Sequence, residues 1–281
     1  MNVKDYAREI LEGESLNSKL LVIPKLDDGF QKDNIKVYSC PLKPGRAEKI
    51  SFSSKQMRFP KVSSFSDAEK RAMALHFFAN HELLAIEMMA AFILIYPDNE
   101  ETLKLKKGVL SSLKDEQKHL KLYIERMREL SGVEFGDFPL SDFFWRQMKF
   151  LKDPAQFLSF MSMTIESANL DFALFYKRIF ENYEDFKTSK ILEVVLKDEI
   201  KHVGLGYSWL NRWRGDKETW DYYNSLLPDK LTPARAKGII FNEDARRQAG
   251  IEECFISKLK NFRSNFVVTD RKNWKKDNMS L

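Results

Sequence analysis

Two stretches of the chain, residues 115–119 and 198–202, share the pattern D-E-x-K-H and begin 83 residues apart. A Glu and a His three residues apart on a helix lie on one face, less than a turn from each other, and can hold one metal ion between them. Two such pairs, completed by one carboxylate from each of two further helices, are the ligands of a dinuclear iron or manganese site in a four-helix bundle. The repeat therefore predicts Glu116, His119, Glu199 and His202 as metal ligands.

Four long helices are predicted to carry these residues. The first runs from a capping box at Ser66 to Pro97, and the second ends before Gly132. The third begins at Asp153-Pro154, and the fourth closes at Gly215. Short turns make each successive pair an antiparallel hairpin, and the long connection 131–153, with a short helix over 141–151, crosses between the hairpins. This order predicts an all-α, ferritin-like four-helix bundle.

The remaining segments are predicted to cover this bundle. Residues 1–62 are expected to form an extended N-terminal arm with one short helix in 1–14, because prolines interrupt most of the arm. The bundle itself is expected to span 63–215. Residues 216–281 are expected to form a C-terminal extension with short helices at 233–238 and 242–259, and its last dozen polar residues are expected to fray.

The first helix offers two carboxylates, Glu82 and Glu87, as a further ligand. Ligands on antiparallel helices must lie at the same height above the turn that joins them. Glu116 lies roughly 27 Å past the turn at 1.5 Å per residue, Glu82 roughly 22 Å before it, and Glu87 only about 15 Å before it. The heights therefore favour Glu82, with Glu87 as a reserve or a neighbour of the ligands.

The third helix offers Glu166 and Asp171, and their heights fit Glu199 equally well. We favour Glu166 because it matches Glu82 in position within a similar Glu-x₄-acid pattern, and because a Glu side chain reaches further. Asp171 stays in reserve, like Glu87. Four carboxylates and two neutral imidazoles carry a charge of −4, which two divalent ions would cancel, and oxygen and imidazole ligands favour iron or manganese over zinc. We therefore predict two iron ions, with manganese able to replace one or both.

Other residues are predicted to surround the ligands. Asp115 and Asp198 each precede a ligand His by four residues, a spacing at which a carboxylate can accept the second ring N–H of that His. His81 is expected to be a hydrogen-bonded core group beside the ligands. Tyr123 lies one turn past His119 and is a candidate catalytic residue that could carry a radical or gate oxygen, although filling the core is the commoner role for such an aromatic.

Composition narrows the partners and the compartment. Of the 281 residues, 46 are Lys or Arg and 41 are Asp or Glu, a mild excess of +5 that gives little support for nucleic-acid binding. The two cysteines form no metal or redox motif, which favours a reduced, cytoplasmic setting. The apolar stretches are interrupted by charges, so no membrane partner is expected. A homodimer is compatible with the sequence.

The repeated Glu-x-x-His arrangement resembles the ferritin-like superfamily, which includes ferritins, rubrerythrins, ribonucleotide reductase small subunits and diiron hydroxylases. The D-E-x-K-H form looks most like the oxygenase branch. Over residues 40–260 the chain is similar to an uncharacterised bacterial ferritin-like family, a domain of unknown function. This similarity rests on residues 44–46 (PGR), 81–87 (HELLAIE), 135–139 (FGDFP), 166–171 (ESANLD), 231–238 (LTPARAKG) and 241–247 (FNEDARR). It implies a fold and a metal site, but no substrate.

The leading functional expectation is an oxidoreductase that uses O₂ to hydroxylate or oxidise an unknown small-molecule substrate. It would need an external electron donor, because no motif resembles a flavin, haem or iron–sulfur site. The alternatives are a ferroxidase or iron-handling protein and a non-catalytic binding module with a structural metal. A tRNA substrate is a variant of the first. Basic residues of the extension could serve it, or could equally be surface charges or ion-pair partners (Arg235, Lys237, Arg246, Arg247).

Overall fold

A computed structural model describes residues 1–23, 38–55, 57–228 and 231–263. Its α-helices are α1 (Val3–Glu12), α2 (Leu16–Lys19), α3 (Ala68–Ile95), α4 (Glu100–Ser131), α5 (Pro154–Phe160), α6 (Ser167–Asn182), α7 (Phe186–Trp213), α8 (Thr219–Leu226), α9 (Glu243–Gln248) and α10 (Glu253–Asn261). A π-helix, Met161–Glu166, joins α5 to α6, and 3₁₀ turns lie at Glu48–Ile50, Val62–Ser64, Trp145–Phe150 and Pro233–Ala236. The described residues contain no strand, and Phe52 and Leu140 form an isolated parallel bridge. The all-α helical bundle class predicted from the sequence is confirmed.

The first long hairpin consists of α3 and α4. Asp67 caps α3 by accepting the backbone N–H of Glu69, so the cap lies one residue after the predicted Ser66. Asn99 and Thr102 form a reciprocal capping box at the start of α4, which ends at Gly132 in the left-handed conformation (φ 73°). Lys106 closes the turn by donating to the carbonyl of Tyr96 at 2.5 Å. Because α4 therefore folds back along α3, residues far apart in sequence meet side by side.

The second long hairpin pairs the helix over 154–182 with α7. The turn between them has Glu184 at a φ of 58° and Asp185 accepting the N–H of Thr188. Beyond the turn, Ser189 donates to Glu181 at 2.8 Å, and further along Asn169 donates to Glu199 at 3.0 Å. The sequence separation within these pairs grows equally on both sides of the turn. This pattern indicates antiparallel helices, as the short connection predicts.

Helix α3 is apolar throughout most of its length. By length and composition it could cross a membrane, but 83% of its most apolar 18-residue window is buried inside the protein. Burial of this kind is typical of the core helix of a soluble helical protein. The prediction that the protein is cytoplasmic goes further than this observation and stays a prediction.

The chain divides into two compact units, Met1–Pro154 with Tyr176–Asp198, and Ala155–Phe175 with Glu199–Leu281. The predicted division into arm, bundle and extension stays a prediction. The short helix expected in 1–14 is α1, whereas the crossover helix expected at 141–151 is the 3₁₀ turn Trp145–Phe150. Part of the arm, 24–37, lies outside the described residues, as does the end of the extension from 264.

The C-terminal extension is more divided than the sequence indicates. The single helix expected over 242–259 is two helices, α9 and α10, because Gly250 adopts a left-handed φ of 79° between them. Helix α8 was not predicted, and it contains Trp220 and Tyr223 among its buried residues. The short helix expected at 233–238 is the 3₁₀ turn Pro233–Ala236.

Candidate metal centre

The first unit brings together Glu82 of α3 with Glu116 and His119 of α4. Each offers a ligand atom within 4.8 Å of the others, and all three side chains are buried, with His119 fully inaccessible. Nδ1 of His119 lies 3.4 Å from Oε2 of Glu116, one turn earlier on the same helix. We call this group the first triad. It joins the two residues of the D-E-x-K-H pattern to the carboxylate that the height argument favoured.

The second unit contains an equivalent group, the second triad, formed by Glu166, Glu199 and His202. Their ligand atoms also lie within 4.8 Å of one another, and all three side chains are buried. Nδ1 of His202 lies 3.5 Å from Oε2 of Glu199 and 3.9 Å from Oε1 of Glu166. Asn169 donates to Oε1 of Glu199 at 3.0 Å and so fixes one side of that carboxylate.

The chemistry of the donors in each triad fits a divalent metal ion. Two carboxylates and one neutral imidazole carry a charge of −2, and burying uncompensated carboxylates is strongly unfavourable. A divalent cation would cancel this charge and bind all three groups at once. Carboxylate oxygens and imidazole nitrogens together suit iron or manganese. Each triad could therefore hold a metal ion, as the sequence predicts.

The ring of His119 is oriented by an aspartate from the other repeat. Nε2 of His119 lies 3.2 Å from Oδ2 of the buried Asp198. A carboxylate oxygen only accepts, so this hydrogen bond needs the proton on Nε2, and the neutral ring then has its lone pair on Nδ1, facing Glu116. Nδ1 also faces the carboxylates in the second triad, so both histidines present the same nitrogen.

The contact of Asp198 with His119 differs from the sequence-based interpretation, which paired Asp198 with the His four residues after it. Lys118 of the first repeat also contacts Asp198, and its ammonium group lies 3.0 Å from Asp115. The lysine of one D-E-x-K-H pattern thereby links the aspartates of both patterns. The sequence shows the lysines but not this pairing, which depends on the packing of α4 against α7.

Glu87 lies outside the first triad. Arg46 binds it with two hydrogen bonds, from Nε at 2.9 Å and from Nη2 at 2.6 Å, and Nζ of Lys19 lies 3.2 Å from the same carboxylate. All three side chains are almost completely buried. Glu87 follows Glu82 by five positions, which turns their side chains roughly 140° apart around the helix. That rotation was available from the sequence and would have distinguished the two acids.

Asp171 occupies the equivalent place beside the second triad. Arg246 binds both of its oxygens, at 2.6 Å and 3.0 Å, and the backbone N–H groups of Gly238 and Asn242 donate to it at 2.8 Å and 2.7 Å. Asp171 and Arg246 are both fully buried. The sequence left Arg246 open as a contact for nucleic acid, a surface charge or an ion-pair partner, and the structure shows the ion pair.

The roles predicted for His81 and Tyr123 stay predictions. The ring of His81 packs on Phe144 with centroids 4.8 Å apart, and burial lowers the pKa of His81 to about 4, so its ring is neutral. Tyr123 is buried, with its ring 5.8 Å from that of Phe78. Phe78 in turn contacts Tyr176 at 5.1 Å, so Tyr123 belongs to an aromatic cluster.

Comparison of the sequence with known proteins identifies a family. The family model described as "Protein of unknown function (DUF455)" matches residues 12–257. The chain belongs to this family. A relative from Haemophilus influenzae, described as "Uncharacterized protein", is 29% identical over 199 residues, which cover 68% of each chain. No solved structure matches the chain significantly. The family match includes both D-E-x-K-H patterns and the two arginines, Arg46 and Arg246, which bind the acids next to the triads.

Proposed function

We propose that each triad holds one iron ion, so that this ferritin-like protein carries two, with manganese able to replace either. We propose further that the protein is an oxidoreductase that uses O₂ and an external electron donor to hydroxylate or oxidise a small organic substrate. The observation that supports this is the repetition of one donor set: each triad is buried and consists of two Glu and one His. Donors repeated in this way match the pattern of carboxylate-bound dinuclear sites.

Bound iron would supply one-electron redox chemistry with O₂. The residues of the chain have narrower tasks. The four glutamates would balance the charge of the cations, and the two histidines would present Nδ1 to them. Asp198 holds the proton on Nε2 of His119, which keeps the other nitrogen available. Burial of all six side chains excludes water, which strengthens the electrostatic interactions inside the site.

The first test is the metal content of protein purified from iron-supplemented cells, together with O₂ consumption by the ferrous form. We expect about two equivalents of iron per chain and consumption of O₂. Glu116→Ala and Glu199→Ala should each sharply reduce the iron bound. Glu125→Ala on α4 and Glu193→Ala on α7 are matched controls, because both side chains are exposed, and they should retain full metal.

The outcomes separate the alternatives. Two equivalents of iron retained in Glu116→Ala and Glu199→Ala would remove the triads from the metal site. Iron that neither reacts with O₂ nor leaves on reduction would indicate a structural metal. Iron far above two equivalents in a large shell, measured by light scattering, would indicate storage. Oxidation of a substrate only in the presence of an electron donor would support the proposed oxidoreductase.

A further inference from the structure

The helix that contains Glu166 changes its winding just before this residue. It is α-helical over Pro154–Phe160, π-helical over Met161–Glu166 and α-helical again over Ser167–Asn182. Glu166 is therefore the last residue of the π segment. π-Helices are rare and less favourable than α-helices, and they occur mostly where function requires a shifted backbone. Some interaction must hold this segment in place.

Thr164 supplies such an interaction from inside the segment. Its Oγ1 donates to the carbonyl of Ser159 at 2.8 Å, five residues earlier. In an α-helix a Thr hydroxyl bonds the carbonyl three or four residues earlier, so this bond fits only the wider π turn. The hydroxyl of Tyr223 lies 2.9 Å from the same oxygen. Because the single proton of Thr164 goes to Ser159, Tyr223 must be the donor to Thr164.

Tyr223 is itself held rigidly within the C-terminal extension. It lies on α8 with no accessible surface, and its ring contacts Phe255 of α10 at 5.5 Å between centroids and Trp220 at 6.0 Å. Burial raises the pKa of Tyr223, so the hydroxyl remains a proton donor at all ordinary pH values. The extension therefore presents a fixed donor to the π segment.

The opposite side of the π segment rests directly on α7. A Cβ atom on Gly206 would lie 2.3 Å from Cβ of Ser162, so only glycine lets the wider turn approach α7 this closely. Gly206 follows His202 by four residues, one helical turn. The π segment is thus confined between Tyr223 and Gly206 at the height of the second triad.

We propose that Thr164 and Tyr223 are positioning residues, which hold the π turn so that Glu166 faces His202 and Glu199. This inference rests on the proposed function, because it treats the second triad as a metal site. A change of one residue in helical register would turn Glu166 by roughly 100° and move it about 1.5 Å along the axis. The C-terminal extension would then set the metal affinity of the second triad while leaving that of the first unchanged.

The test is an anaerobic titration of the metal-free full chain with Co²⁺, followed by visible absorption, in Thr164→Val and Tyr223→Phe. We expect one equivalent to bind as in the wild type and the other to bind about 10–100-fold more weakly, the usual effect of removing a group that orients a ligand. Thr164→Ser keeps the hydroxyl and should bind both equivalents normally. Tyr222→Phe, the neighbouring tyrosine on α8, is the matched control.

Thermal unfolding of the metal-free variants separates positioning from general stability. Positioning predicts a selective loss of one equivalent with little change in Tm. Wild-type affinity for both equivalents in Tyr223→Phe and Thr164→Val would overturn the inference while leaving the proposed function standing. Equal weakening of both equivalents with a lowered Tm would also overturn it. A wild-type chain that binds no Co²⁺ would overturn the proposed function and the inference together.

Discussion

The two triads have the same donors but are supported by different backbones. Glu82 lies within a regular helix, α3, whereas Glu166 ends a π segment that Thr164 and Tyr223 hold. The acids next to the two triads, Glu87 and Asp171, are bound in more similar ways. Arg46 and Arg246 each bind a buried carboxylate through two hydrogen bonds. Both halves therefore have the same donor residues and a neighbouring acid paired with an arginine. They differ in the backbone that aligns Glu82 or Glu166.

Each arginine is also held in the same way. The guanidinium of Arg46 lies 4.2 Å from the ring centroid of Phe52, and that of Arg246 lies 4.0 Å from Phe241. Both come from the segments flanking the long helices rather than from the helices themselves. Because a guanidinium group binds each of these carboxylates, Glu87 and Asp171 are ion-pair partners rather than members of the triads.

Glu87 and Asp171 differ in the groups that contact them besides the arginine. Lys19 lies beside Glu87 and also donates to the carbonyl of Ile10 at 2.7 Å. In the described part of the chain, Arg246 is the one basic side chain paired with Asp171, and two backbone N–H groups complete its coordination. The loss of one arginine should therefore have unequal effects in the two halves.

Replacing Arg246 should produce the largest effect. Arg246→Met would leave Asp171 fully buried without a cation, which is expected to lower the free energy of unfolding by about 3–5 kcal/mol. Urea unfolding followed by circular dichroism would measure this change. The control is Arg247→Ala, whose partially exposed ion pairs should contribute no more than about 1 kcal/mol. A loss equal to that of the control would mean that the buried pair contributes little.

Replacing Arg46 should have a smaller effect, because Lys19 remains beside Glu87. We expect Arg46→Met to lower the free energy of unfolding by about 1–3 kcal/mol, the range for hydrogen bonds to a charged group. The exposed Arg8, paired with Asp5, provides the control variant Arg8→Ala. If Arg46→Met proved as destabilising as Arg246→Met, the compensating role assigned to Lys19 would be wrong.

The third prediction concerns the loss of folding stability at low pH. This loss should come mainly from the half of the chain that contains His76. His76 lies six residues before Glu82, whereas Phe160 lies six before Glu166. Burial lowers the pKa of His76 to about 4, although the nearby Asp137 opposes the shift. The unfolded chain takes up this proton near pH 6.5, so the stabilisation is complete above that pH and is lost as the pH falls toward 4.

His76→Gln should therefore reduce the loss of stability between pH 7 and pH 5 by about 2 kcal/mol in the metal-free protein. Gln keeps an acceptor for the backbone N–H of Gly136, which donates to Nε2 of His76 at 3.0 Å. Urea unfolding at both pH values would measure the difference. His81→Gln should act in the same direction, because burial lowers the pKa of His81 as well. An unchanged pH dependence in His76→Gln would show that His76 is not the source.

The sequence predicted the long helices and both triads because these depend on regular geometry. Helical periodicity and capping residues determine where α3 and α4 begin and end, and the three-residue spacing in each D-E-x-K-H pattern places Glu and His on one face. The height of Glu82 above its turn then favoured it over Glu87, because the rise per residue is constant. The heights of Glu166 and Asp171 fitted equally well, so Glu166 was favoured by its match to Glu82 and by the reach of its side chain.

What the sequence could not predict depends on packing between distant segments. No local signal distinguishes the π segment, since residues 161–166 would suit an α-helix equally well. The pairing of Arg46 with Glu87 needs the arm to approach α1 closely. Gly45 permits this, because a Cβ there would lie 1.9 Å from the carbonyl oxygen of Glu12. The motif Pro44-Gly45-Arg46 was visible, but its purpose required three-dimensional contacts.

The pairing of Arg246 with Asp171 also has a consequence for biosynthesis. These two residues are separated by 75 positions in the chain. A ribosome that has just completed α6 must add the whole of α7 and α8 before the arginine exists. Until then the nascent polypeptide contains Asp171 without Arg246. We therefore expect Asp171 to become buried only late in translation.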